Sequence, residues 1–147
     1  MGNSSAMFTK EQKELITSAI KEAEMNTSGE VRVHIENSCA EDVMDRAAYW
    51  FAELKMHKTE QRNGVLFYLA IKDHKFAILG DMGINAVVPE NFWNEAKETM
   101  LPYFAEGNFA EGLSKGILMA GGRLKQFFLY QKDDVNELDD EISFGNN

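Results

Sequence analysis

The chain has 147 residues, of which 44% are hydrophobic and 11% aromatic, with a formal net charge of -9 and one cysteine. That is the length of one domain with enough apolar material for a core, and Cys39 alone forms no internal disulfide. The acidic balance excludes the basic stripe of a nucleic-acid binder and attraction to an anionic membrane surface, no apolar run nears the roughly 18 residues that cross a bilayer, and a cation, a basic partner or plain solubility remain as its meaning.

The opening residues, Met1 to Met7, read as an added or frayed start, and with no leader in view the expected location is the cytoplasm. Thr9 and Gln12 form a capping box ahead of a first helix whose Leu15, Ile16, Ala19, Ile20 and Ala23 share one face. Asn26-Thr27-Ser28-Gly29 ends it in a turn. Val31, Val33 and Ile35 then alternate with Arg32, His34 and Glu36, which predicts a strand with one polar face, partly exposed or near an edge. A second helix places Val43, Ala47, Trp50, Phe51 and Leu54 on one stripe. Residues 64–71 are apolar on both faces and predict the central strand. Asp73-His74 turns the chain into a third strand, Lys75 to Leu79, which Gly80-Asp81-Met82-Gly83 stops. Pro89 opens a third helix carrying Phe92, Trp93, Ala96 and Met100, with Pro102 bending or ending it. Asn108 and Glu111 form a second capping box before a fourth helix that turns Leu113, Ile117, Leu118, Leu124 and Phe128 inward. Gly112, Gly116, Gly121 and Gly122 weaken that helix intrinsically, and close packing against the sheet is the expected compensation. The domain is thus 8–130, followed by an acidic tail, 131–147, with six acids and one lysine. The tail reads as a solvated segment or as a short helix docked through Leu138 and Ile142, which would carry Asp139 and Asp140 to a metal or a basic partner.

The order α-β-α-β-β-α-α predicts an α/β fold with a small mixed sheet. A helical crossover makes the first two strands parallel, and a tight turn makes the third antiparallel to the second. Two strand starts and one strand end therefore share one end of the sheet. Glu30, Arg62, Asn63 and Asp81 converge there, with Thr59 nearby from the returning second helix. Carboxylates, a carboxamide and loop carbonyls are hard oxygen ligands, which suit Ca2+ or Mg2+ rather than Zn2+. The plainer reading of Glu30 and Asp81 is loop capping with an ion pair to Arg62, and that of Asn63 and Asn85 is turn formation. Arg62 also has the geometry to receive a phosphate or carboxylate. His34, His57 and His74 lack metal-ligand spacing, and no residue is assigned a catalytic role.

The segments Thr27-Ser28-Gly29-Glu30-Val31-Arg32-Val33, Arg62-Asn63-Gly64-Val65-Leu66, Gly80-Asp81-Met82-Gly83-Ile84-Asn85 and Asn136-Glu137-Leu138-Asp139-Asp140-Glu141-Ile142-Ser143 resemble the TPM domain family in order and spacing. That family includes a plant thylakoid lumen protein of photosystem II repair, a nematode receptor-modulating membrane protein and many bacterial proteins. The resemblance implies a three-layer α/β/α sandwich of Rossmann-like topology. It also implies divalent-metal binding, calcium in particular, with Glu30 and Asp81 as the matching positions, and an acid phosphatase activity attributed to plant members. Three functions follow as expectations: a calcium-binding domain serving protein assembly or repair, a metal-assisted phosphomonoesterase, and a metal-independent protein-interaction module.

Overall fold

The computed structural model describes residues 4–129, 138 and 140–145. Its elements are α1 (Lys10–Asn26), β1 (Glu30–Glu36), α2 (Val43–Glu53), β2 (Gly64–Ala70), β3 (Lys75–Gly80), α3 (Met82–Asn85), α4 (Asn94–Ala105), α5 (Phe109–Leu124) and β4 (Ser143–Phe144), with 3-10 turns at Ser4–Met7 and Met56–Lys58. The Thr9 capping box forms as the sequence predicts, with Gln12 and Thr9 each bonding the other's backbone N–H. Asn108 caps α5 by position alone, without a side-chain bond, so the second capping box does not form.

The sheet order is β3-β2-β1-β4. β1 and β2 are parallel with Glu30 opposite Gly64, and β3 runs antiparallel to β2 with Gly80 opposite Val65. β2 is buried along its whole length, as expected of a strand covered on both faces. On one face Val31, Val33, Ile35, Val65, Phe67 and Leu69 pack with α1, α4 and α5 around Ile16, Ile20, Met100, Leu113 and Ile117. On the other, Leu66, Tyr68, Ala70 and Ala77 pack with Ala47 and Phe51 of α2, Cys39 and Met56. This is the expected three-layer sandwich with a mixed sheet. Among the described residues no helix is long and apolar enough to cross a membrane.

Several local expectations are corrected. Pro89 sits in a turn, and the long helix begins at Asn94, five residues later, and continues through Pro102 to Ala105. Leu15 lies at the margin of its helix face, 37% exposed. Gly112, Gly116 and Gly121 of α5 pack on neighbouring helices rather than on the sheet, while Gly122 meets open space: a Cβ on Gly116 would lie 2.2 Å from Met100 Sδ, and one on Gly121 2.7 Å from the Ala23 Cβ. The polar face of β1 is not open to water, since His34 and Glu36 are both 0% exposed beneath α2 and β4. The chain's opening is also part of the fold. Ser4 is buried, and its hydroxyl donates to the carbonyls of Ile35 at 2.9 Å and Gly145 at 2.8 Å. The described tail residues form no helix. They supply β4, parallel to β1 and paired at His34–Ser143 and Ile35–Phe144.

Candidate functional site

Strand register brings the predicted residues to one end of the sheet. Glu30 and Gly64 are partners, and the Asp81 N–H donates to the Gly64 carbonyl at 2.9 Å. Glu30, Gly64 and Asp81 thus form one row across three chain segments. Arg62 adopts the left-handed conformation (φ 52°), uncommon for a residue with a Cβ, and that turn lets its carbonyl accept the Gly83 N–H at 2.9 Å. Only glycine fits at 83, because a Cβ there would stand 2.2 Å from the Gln61 carbonyl oxygen.

Asp81 is fully engaged by local structure. Arg62 Nε and Nη2 donate to its two oxygens at 2.7 and 2.8 Å, and its Oδ1 also accepts the Met82 N–H at 2.8 Å. The bond to Asp81 holds the Arg62 guanidinium above its usual range. Asn85 donates to the Gly80 carbonyl at 2.9 Å, closing the turn. The buried Thr59 hydroxyl accepts the Asn63 N–H at 3.2 Å. Asn63, 3% exposed, donates from Nδ2 to the Ser28 carbonyl at 2.7 Å, while its buried Oδ1 has no donor among the described residues. Buried polar atoms are rarely left so.

Glu30 belongs to a second group. It is 5% exposed, and its Oε1 accepts the Leu138 N–H at 2.7 Å. Beside it, Glu24 at the end of α1 accepts the Val31 N–H at 3.0 Å and meets the Asp140 carboxyl. Burial pushes the Glu24 carboxyl up, the hydrogen bond and negative charge of Asp140 add to the rise, Glu30 contributes further, and the group is pushed up to about 9. Two carboxyl groups bond to each other only when a proton lies between them. Asp140, expected to be carried by a docked helix to a metal or a basic partner, instead meets Glu24 from a segment without helix; Asp139 lies outside the described residues. Glu24 was missed because it reads as a solvent-facing residue in the last turns of α1. The available signal was its place just before the Thr27-Ser28-Gly29 turn that leads into Glu30. Among the described residues no three His, Cys, Asp or Glu side chains close around one point as a ready-made metal cage.

A buried polar network occupies the opposite end of β1, where the alternation predicts a polar face partly exposed or near an edge. Glu36 accepts from Arg46 Nε at 2.9 Å, Arg46 Nη2 at 2.7 Å and the Tyr68 hydroxyl at 2.6 Å. Burial raises the Glu36 carboxyl, but the Arg46 and Tyr68 bonds outweigh it and hold the group below its usual range. Burial raises the Tyr68 hydroxyl, and its bond to Glu36 acts in the same direction. His34 stacks on Trp50 with ring centroids 3.8 Å apart, and its Nδ1 lies 2.8 Å from Ser143 Oγ. Its Nε2 is buried, without a hydrogen-bond partner among the described residues, and 3.9 Å from Glu36 Oε2. Desolvation, outweighing the Glu36 charge, pushes the His34 imidazole down to about 4.

Comparison with known proteins gives a consistent picture. A family model described as the TPM domain matches residues 3–123. The NMR structure of BA42 protein from the psychrophilic bacterium Bizionia argentinensis is similar, with a TM-score of 0.89 and 46% identity over 94% of this chain and 95% of that one. The N-terminal domain of a P. gingivalis protein has a TM-score of 0.72 at 19% identity, covering 87% of this chain and 83% of that one. The N-terminal domain of the cg2496 protein from Corynebacterium glutamicum has a TM-score of 0.64 at 10% identity, covering 90% and 81%. The last two show likeness of fold alone. No curated protein matches the chain.

Proposed function

This chain belongs to the TPM domain family, and on that premise we propose that it is a divalent-cation-binding domain whose ion, Ca2+ or Mg2+, sits at the Glu30 end of the sheet. The observation that carries this reading is the meeting of Glu24 and Asp140 beside Glu30. Carboxyl groups placed so closely need a positive charge among them at neutral pH, and either a proton or a metal cation supplies it. The unpartnered Asn63 Oδ1 adds a neutral oxygen donor at the same end of the sheet. Oxygen donors of this kind suit hard cations, which accept two carboxylates and complete their shells with neutral oxygens and water. In this reading Glu24 and Asp140 are the ligand carboxylates, with Glu30 beside them. Asp81 joins them only by leaving Arg62, which places it beside the site rather than at its centre. The bound ion would supply charge neutralisation and a docking point for a partner in assembly or repair. Phosphomonoester hydrolysis would further require Arg62 to exchange Asp81 for a phosphate.

Calorimetry with Ca2+ and Mg2+ tests the reading. The expected result is saturable binding by the intact chain that weakens at least tenfold in Glu30→Gln and in Glu24→Gln but survives in Arg62→Ala. Absence of binding up to millimolar ion would overturn it.

A further inference from the structure

We draw no further inference here: the strongest candidate, the open cleft of about 610 Å3 between the first turns of α4 and the end of α5, walled by Phe92, Phe127, Glu98 and the Glu95–Arg123 ion pair, carries nothing, because its lining is of mixed charge and nothing in the structure shows what covers it.

Discussion

At the residue scale, single buried groups carry the sharpest consequences. His34 is held neutral by burial, with its pKa lowered from 6.5 to about 4. A base whose folded pKa is depressed contributes stability above pH 6.5 and loses it as pH falls toward 4, because the unfolded chain takes up a proton that the folded chain refuses. With one proton in that window the slope approaches about 1.4 kcal/mol per pH unit. The raised Glu24 carboxyl contributes a slope of opposite sign in the same range, so the test is the difference: by urea unfolding, stability should fall more steeply from pH 7 to 4 in the unaltered chain than in His34→Phe, and parallel slopes would remove His34 from the account. Gly145 is a second such position. Gly145→Ala places a methyl on Glu36 and His34 and is expected to destabilise the fold by about 1–3 kcal/mol, as overpacking does, with faster amide exchange concentrated at Ser143–Gly145. The alternating Arg32-His34-Glu36 pattern was legible in the sequence, but its burial was not. A polar alternation looks the same whether water or an Arg–Tyr network satisfies it, and Arg46 and Tyr68 come from separate elements.

At the element scale, α5 shows how glycine serves packing. Gly121 faces Ala23 of α1 so closely that a Cβ would lie 2.8 Å from the Ala23 Cα, while Gly122 has nothing within 4 Å. Gly121→Ala must part α1 from α5 and should cost about 1–3 kcal/mol. Gly122→Ala meets open space and should stabilise the helix by about 0.5–1 kcal/mol. Urea midpoints that move in opposite directions for these neighbours would bear this out, and equal shifts would contradict it. Helix and strand types were legible from periodicity because most elements bury one regular face. The start of α4 was not. Pro89 carries a local N-terminal signal, but the turn from Pro89 to Trp93 comes first, and Pro102 is tolerated inside the helix. The two-residue β4 was invisible because an acidic stretch shows no strand pattern, and its pairing is dictated by the vacant edge of β1.

At the scale of the whole molecule, the direction of the strands decides where chemistry gathers. Convergence of Glu30, Arg62, Asn63 and Asp81 at one sheet end was legible from topology alone, since a crossover and a hairpin fix three directions. The division of that cluster was not legible. Asp81 is taken up by Arg62, and Glu30 accepts from Leu138 beside Glu24, because α1 ends beside the strand and the tail returns 108 residues later. A net charge of -9 with carboxyl groups in contact predicts that a site-bound divalent ion stabilises the fold in proportion to its occupancy. Calcium at 100 times its dissociation constant should raise stability by about 2.7 kcal/mol, whereas the same ionic strength of NaCl should not. The most direct test is an amide NMR titration of the chain with Ca2+. The account predicts saturable shifts centred on Glu24, Glu30, Val31, Asn63, Leu138 and Asp140, lost in Glu24→Gln/Glu30→Gln. Unchanged amides at those positions across a millimolar titration, or shifts that persist in the double variant, would contradict it.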